Sequence, residues 1–195
     1  MAQTYIFIGR SGCGKGTQAE LLKKYLESKK EEVFYLESGA KFREFISQSS
    51  FTAKLSRKIM AASDLQPAFL AIHVWSHILI EQMDQNKTLI IDGTPRKLVE
   101  AKILDEALKF YGRVKPKIVY VNVGDAWARK RLLLRGRVDD KKKEDIEKRL
   151  NWFNTDVEPA VNFYKNNPNY DFLDINGEQT IEQVHEEILA KLKFV

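Results

Sequence analysis

The feature that most constrains this chain is a glycine-rich segment near its start. Residues 9–17 read G-R-S-G-C-G-K-G-T and match the pattern G-x-x-x-x-G-K, with Gly16 where the general pattern has Ser or Thr. An apolar strand is predicted before the segment, over residues 5–8, and an amphipathic helix after it, over residues 16–28. Such a loop turns backbone N–H groups and a helix N-terminus toward phosphate oxygens, and Lys15 adds a positive charge. The segment therefore predicts a phosphate site in an α/β fold.

Apolar runs and helical patterns alternate along the rest of the chain. Strands are predicted over residues 5–8, 33–36, 89–91, 118–123 and 172–175. Helices are predicted over residues 16–28, 41–47, 52–62, 68–85, 98–110, 126–134, 144–153, 160–165 and 181–192. Nearly continuous apolar strands separated by helices predict a parallel sheet that is covered on both faces. Three helical stretches lie between the second and third strands, which indicates an insert in an α/β core.

Composition narrows the class of protein further. With 195 residues, 44% of them hydrophobic, the chain is predicted to form one compact domain, and a disordered chain is excluded. A single cysteine excludes a disulfide framework and indicates a reducing compartment. No apolar run approaches the roughly 20 residues that a membrane span requires. We therefore expect a cytoplasmic protein without a membrane partner. The net charge of +5 indicates an anionic partner: a nucleotide, a nucleic acid or an acidic surface.

Further short motifs follow the glycine-rich segment in a fixed order. They read S-G-A-K-F-R at 38–43, L-Q-P at 65–67, D-G-T-P-R at 92–96, R-G-R-V-D-D at 135–140, R-L at 149–150 and D-I-N-G at 174–177. Together with G-K-G-T-Q-A at 14–19, they resemble the motifs of the adenylate kinases and their nucleoside monophosphate kinase relatives over nearly the whole chain. The resemblance implies a P-loop NTPase-type three-layer α/β sandwich. Its five-stranded parallel sheet would have the order 2-3-1-4-5, with helices on both faces.

The resemblance also implies a domain plan and a reaction. One kinase domain would occupy residues 1–195, with a core at 1–37, 68–135 and 144–195, a nucleoside monophosphate-binding insert at 38–67 and a minimal lid at 136–143. The reaction would be Mg²⁺-dependent, reversible transfer of the terminal phosphoryl of ATP to a nucleoside monophosphate, with AMP as the first candidate and GMP, CMP or UMP as alternatives. A rival enzyme class is a small-metabolite kinase. The rival of another kind is a nucleic-acid-binding P-loop ATPase.

Roles for individual residues follow from the matched motifs. The ATP site would comprise Gly12, Cys13, Gly14, Lys15, Gly16, Thr17, Arg131, Arg135 and Gly177. The acceptor site would comprise Ser38, Gly39, Arg43, Leu65, Gly93, Arg96, Glu100, Arg137 and Arg149. The catalytic cations would be Lys15, Arg96, Arg131, Arg135 and Arg149, because phosphoryl transfer requires neutralised charge and arginine forks bind phosphate oxygens in pairs. Thr17 and Asp92 would position Mg²⁺, the aspartate through water.

The seven cations assigned to phosphates account for the basic excess of the chain. Setting them aside leaves 25 basic against 27 acidic residues, of the 32 and 27 that the chain contains. The expected partners are therefore ATP and a nucleoside monophosphate, without nucleic acid.

The lid segment is shorter than in short-lid relatives, because Gly136 is shared by the R-G and the G-R of the lid motif. A short lid admits water, so we expect either ATP hydrolysis without acceptor or a neighbouring subunit that completes the site, in a monomer or small homo-oligomer.

Three positions depart from the family pattern in a way that bears on the acceptor base. Glu100 replaces the glutamine that reads adenine in the family, Thr94 replaces phenylalanine, and Ala40 replaces aspartate. Glutamine offers one donor and one acceptor, whereas an ionised glutamate offers acceptors only and suits a base with two adjacent donors. A protonated Glu100 would imitate glutamine, and a Glu100 facing solvent would have no role. Cys13 is either a tolerated small residue or a redox-sensitive thiol.

Overall fold

The computed structural model describes residues 2–135 and 143–194, with Arg135 described through its backbone alone. Its sheet consists of the parallel strands β1 (Thr4–Ile8), β2 (Val33–Glu37), β3 (Thr88–Asp92), β4 (Lys117–Asn122) and β5 (Asp171–Asn176). The strands lie in the order β2-β3-β1-β4-β5. The predicted fold class and strand order are confirmed.

The helices lie close to their predicted positions. They are α1 (Lys15–Ser28), α2 (Ser38–Ser47), α3 (Phe51–Ala61), α4 (Ala68–Gln82), α5 (Leu98–Phe110), α6 (Asp125–Arg135), α7 (Lys143–Trp152), α8 (Glu158–Lys165) and α9 (Ile181–Lys191). A π-helical turn, Phe153–Val157, joins α7 to α8 without a break. The reason is Pro159, which lacks an N–H for the ordinary helical hydrogen bond, so a wider turn precedes it. Within the described residues, no helix has the length and apolar character needed to cross a bilayer.

Alternate residues of β1 enter two hydrophobic clusters, one on each face of the sheet. Tyr5 and Phe7 pack in the cluster to which α1, α6, α7 and α9 contribute. Ile6 and Ile8 pack in the cluster to which α4, α5 and α8 contribute. Because both faces are covered, every residue of β1 and β3 is buried, as expected for a parallel sheet.

The carboxyl ends of three neighbouring strands meet at one edge of the sheet. Phe7 pairs with Asp92 of β3, and Asp92 pairs with Glu37 of β2. The helix α2 begins at Ser38, directly after β2, three residues earlier than predicted. The Ser38 hydroxyl is buried and donates to the Asp92 carbonyl oxygen at 3.2 Å, which holds the start of α2 against the end of β3. Ligands of open parallel sheets bind at this edge.

A buried arginine at the opposite edge carries a stability prediction. Arg113 is 8% exposed and donates to the carbonyl oxygens of Ala2 at 3.1 Å and Asp84 at 2.7 Å. Replacing Arg113 with Met leaves both carbonyls without this donor, so we expect the free energy of unfolding to fall by about 2–3 kcal/mol. Urea denaturation measures the change. Lys109→Met is the control, because its ion pair with Asp105 is exposed on the lysine side and is worth about 0.5 kcal/mol.

Candidate active site

The glycine-rich loop connects β1 to α1 through residues with left-handed backbone angles. Gly9, Gly12 and Gly14 have φ values of 151°, 85° and 92°, and Gly14 caps the N-terminus of α1. The Lys15 ammonium folds back over the loop and donates to the Arg10 carbonyl oxygen at 3.2 Å. The loop therefore surrounds the start of α1 with N–H groups and a cation, which is the arrangement that binds phosphates.

Two glycines of the loop offer a matched pair of substitutions. A Cβ on Gly12 would lie 2.8 Å from the backbone oxygen of Ala128 in α6, whereas a Cβ on Gly14 would meet nothing within 4 Å. We expect Gly14→Ala to lower the free energy of unfolding by about 1–2 kcal/mol, from backbone strain alone. Gly12→Ala should lower the free energy of unfolding by more than this, because α6 must also move. Thermal and urea denaturation of the two variants test this. Equal losses would contradict the assignment of the contact with α6.

The environment of Cys13 favours the structural interpretation over the redox one. The residue is 5% exposed, and burial raises the pKa of its thiol. A thiol that stays protonated reacts slowly with oxidants. Cys13 also belongs to the hydrophobic cluster beneath α1. It acts as a small residue of the core at the base of the loop.

Asp92 stands over the first turn of α1. Its carboxylate is 8% exposed, and its Oδ2 lies 3.0 Å from the position of a Cβ on Gly16. A serine at this position would press its side chain on the carboxylate, which explains the glycine. Burial raises the pKa of the Tyr35 hydroxyl on β2, and the negative charge of the Asp92 carboxylate raises it further. Tyr35 and Asp92 both line the cleft.

The oxygen donors at this point fit a hard cation. The Asp92 carboxylate and the exposed Thr17 hydroxyl flank Gly16 at the start of α1. Mg²⁺ prefers oxygen ligands and keeps several waters, so one carboxylate and one hydroxyl suffice beside substrate phosphates. Thr17 and Asp92 are thus suited to the magnesium role that the sequence predicts.

The turn between β3 and α5 is tied to α2. Gly93 has a φ of 83°, and a Cβ on it would lie 2.7 Å from the Ser38 hydroxyl oxygen, so only glycine permits this close approach. Arg96 donates from Nε to the Gly93 carbonyl oxygen at 3.0 Å, which orients its guanidinium. On α2, Arg43 forms an ion pair of 2.9 Å with Glu37, a residue that the sequence analysis missed.

Glu100 is buried rather than facing solvent. It is 3% exposed at the start of α5, and its Oε2 accepts hydrogen bonds from the Thr94 hydroxyl at 3.0 Å and from the Arg96 N–H at 3.4 Å. Two of the positions that depart from the family pattern therefore contact each other. The alternative of a solvated Glu100 without a role is wrong.

These groups line one cleft of about 1510 Å³. Among the predicted site residues, its lining includes Gly12, Cys13, Gly14, Lys15, Gly16, Thr17, Ser38, Gly39, Arg43, Leu65, Asp92, Gly93, Arg96, Glu100, Arg131, Arg149 and Gly177. Beside the loop, a smaller recess of about 30 Å³ is lined by Lys15, Arg96 and Arg149 together with apolar side chains. Three cations from three separate elements thus converge next to the loop. The Arg135 side chain, Arg137 and residues 136–142 of the predicted lid lie outside the described residues.

Aromatic rings hold two of the cleft arginines. The Arg149 guanidinium carbon lies 5.5 Å from the ring centroid of Trp152, and that of Arg131 lies 5.5 Å from Trp127. Trp152 follows Arg149 by three positions, and Trp127 precedes Arg131 by four. Residues at these spacings are neighbours on a helix, so the two contacts could have been predicted from the sequence. Arg57 also lines the cleft, but it donates to the carbonyl oxygens of Ile46 and Gln48 and thereby joins α3 to α2.

The fold and the cleft define a class. A parallel sheet in the order β2-β3-β1-β4-β5, with a glycine-rich loop after β1 and arginines of several elements in the same cleft, is that of a phosphate-binding P-loop protein.

Comparison with known proteins gives the family. A sequence model of the adenylate kinase family matches residues 7–169. The chain is 32% identical over 187 residues to adenylate kinase 1 of Nostoc sp., which covers 96% of this chain and 97% of that protein. It is 33% identical to the adenylate kinases of Flavobacterium psychrophilum, over 92% of each chain, and Leptospira biflexa, over 96% and 98%. The chain belongs to the adenylate kinase family.

Proposed function

We propose that this enzyme catalyses the Mg²⁺-dependent, reversible conversion of ATP and AMP into two ADP. Membership of the adenylate kinase family supports the transfer of a phosphoryl group between ATP and a nucleoside monophosphate. The relatives that are named adenylate kinase support AMP as the acceptor. The structural observation that carries the reaction is the convergence of Lys15, Arg96 and Arg149 on one recess beside the loop. We place the reaction in the cytoplasm, as the cysteine usage indicates.

The donor nucleotide is proposed to bind at the loop. Its phosphates would accept hydrogen bonds from the N–H groups of residues 12–17, and the Lys15 ammonium would leave the Arg10 carbonyl for a phosphate oxygen. Arg131 and Gly177 line the same cleft as the loop, and both are assigned to ATP. Arg135 is assigned to ATP by sequence alone.

The acceptor is proposed to bind on the side of the insert, residues 38–67. Its phosphate would pair with Arg43 and Arg96, which lie on either side of the Ser38–Gly93 contact. Arg43 must exchange its ion pair with Glu37 for this phosphate. Leu65 would pack on the base and Glu100 would contact its edge. Arg149, together with Arg131, is assigned to the phosphates between the two nucleotides, and Arg137 is assigned to closing over them from the lid.

The transfer itself needs positioned and neutralised phosphates rather than a covalent intermediate. Lys15, Arg96 and Arg149 would face the moving phosphoryl group, where charge is spread over three oxygens. Thr17 and Asp92 would hold the metal. The chemistry that a bound Mg²⁺ supplies is neutralisation of charge on the phosphate oxygens.

A coupled assay of nucleoside diphosphate formation tests the function. ATP is supplied with AMP, GMP, CMP or UMP, with Mg²⁺ or with EDTA, and once without any acceptor. We expect AMP to be converted only when Mg²⁺ is present. The reaction without acceptor measures the ATP hydrolysis that water admitted by the short lid would cause. The molar mass of the protein in solution shows whether a second subunit is present. Failure of every monophosphate, together with hydrolysis that an oligonucleotide stimulates, would favour the nucleic-acid-binding ATPase instead.

A further inference from the structure

Thr94 and Glu100, two residues that depart from the family pattern, contact each other. The hydroxyl of Thr94 is 3.0 Å from Oε2 of Glu100, and both residues are 3% exposed. Both also line the cleft, as do Leu65 and Ser38. A phenylalanine at position 94 has no hydroxyl to donate, so the threonine and the glutamate match each other.

The hydrogen bonds of Glu100 define what it offers to a ligand. Its Oε2 accepts from two donors, the Thr94 hydroxyl and the Arg96 N–H. Its Oε1 accepts no hydrogen bond from residues 2–135 or 143–194 of the described chain, and a carboxylate oxygen has two acceptor positions. Glu100 is buried and lines the cleft, so Oε1 is the carboxylate oxygen left to accept from a base in the acceptor site.

The edges of the four bases differ in how they satisfy such an oxygen. Guanine carries two adjacent donors, on N1 and N2. Adenine and cytosine pair one amino donor with a ring nitrogen that accepts, and that lone pair would face the carboxylate. Uracil has one N–H between two carbonyl oxygens. Guanine is therefore the base whose edge donates twice to an acceptor-only group.

We propose that the Thr94–Glu100 pair selects the acceptor base and makes GMP a substrate of this enzyme beside AMP. This rests on the proposed phosphoryl transfer and deepens it. Glu100 contacts the base, whereas Thr94 is a positioning residue that holds Oε2 so that Oε1 turns to the cleft. The phosphoryl transfer is the same for both acceptors, because GMP and AMP present the same phosphate and differ only in the base.

The test compares kcat/KM for GMP and AMP in four proteins. In the unaltered enzyme, GMP should reach at least about a tenth of the value for AMP, since an edge that leaves polar groups unpaired is rejected by far larger factors. Glu100→Gln restores a donor and should lower the ratio of GMP to AMP by about tenfold or more. Thr94→Val should shift the ratio in the same direction, through a rise in KM for GMP. Glu106→Gln, an exposed change on the same helix, should leave the ratio as it is.

Each result decides for or against the inference. A ratio of GMP to AMP below a tenth in the unaltered enzyme overturns it, as does an unchanged ratio in Glu100→Gln. Thermal unfolding shows whether the Glu100→Gln variant is folded, and isothermal titration with GMP shows whether the contact with the base is lost. A folded Glu100→Gln variant should still bind AMP. If neither monophosphate is converted, the proposed function fails. If AMP alone is converted, the proposed function stands and only the role of the pair is refuted.

Discussion

Replacing Lys15 with Met should lower kcat by about 10³-fold or more while the chain stays folded. The Lys15 ammonium lies over the loop, where it donates to the Arg10 carbonyl oxygen, and Lys15 lines the recess with Arg96 and Arg149. A cation at the transferring phosphoryl stabilises the transition state more than the bound substrate, because charge builds up there as the group moves. Methionine keeps the length of the side chain and removes the charge. Steady-state kinetics with ATP and AMP measure the loss, and thermal unfolding checks the fold.

Lys24→Met is the matched control for this experiment. Lys24 lies on the same helix, about two and a half turns after Lys15, and its ion pair with Glu20 is exposed. Its loss should change neither kcat nor stability by a measurable amount. Comparable activity losses in the two variants would mean that the net charge of α1, and not the position of Lys15, is what matters.

Replacing Arg96 with Lys should lower kcat/KM for the acceptor by about 10²-fold, although the charge is kept. A guanidinium binds two phosphate oxygens with one planar fork, and lysine offers a single ammonium. Arg96 is oriented by its bond from Nε to the Gly93 carbonyl, a bond that holds the fork in one plane. We expect KM for ATP to stay within about twofold, because the donor site lies at the loop. Initial rates with each nucleotide varied in turn separate the two effects.

Arg129→Lys provides the comparison for the arginine chemistry alone. Arg129 forms a bidentate pair with Glu147 outside the cleft, at 2.7 and 2.9 Å, so the same change removes a fork there as well. This exposed pair should affect activity little. An equal loss of activity in both variants, or a rise in KM for ATP in Arg96→Lys, would contradict the acceptor role of Arg96.

Local patterns predicted most of the fold because they depend on neighbours in the chain. The apolar runs of the five strands and the periodicity of the helices are readable without any tertiary contact. The start of α2 at Ser38 was missed, since it depends on a bond to the Asp92 carbonyl, 54 positions away. The π-helical turn before Pro159 was missed as well, because a proline is also a normal first residue of a new helix.

The candidate site was predicted as a set of residues but not as an arrangement. Motifs name Arg43 and Glu100, yet nothing in their spacing reveals that Glu37 holds the first or that Thr94 holds the second. Tyr35 carries no motif, although it lines the same cleft as Asp92 from the neighbouring strand. Pairs of this kind arise between elements and leave no local signal.

The glycine-rich loop, the order of its strand and helix, and the surplus of cations are properties of the chain itself, and they establish a phosphate-binding α/β protein. The tertiary structure alone decided which groups meet. Because neighbouring parallel strands end at one edge, Glu37 and Asp92 are brought beside the loop, and the turn after β3 carries Thr94 into contact with Glu100. That contact left Glu100 buried and facing the cleft as a hydrogen-bond acceptor, which composition and spacing had left open.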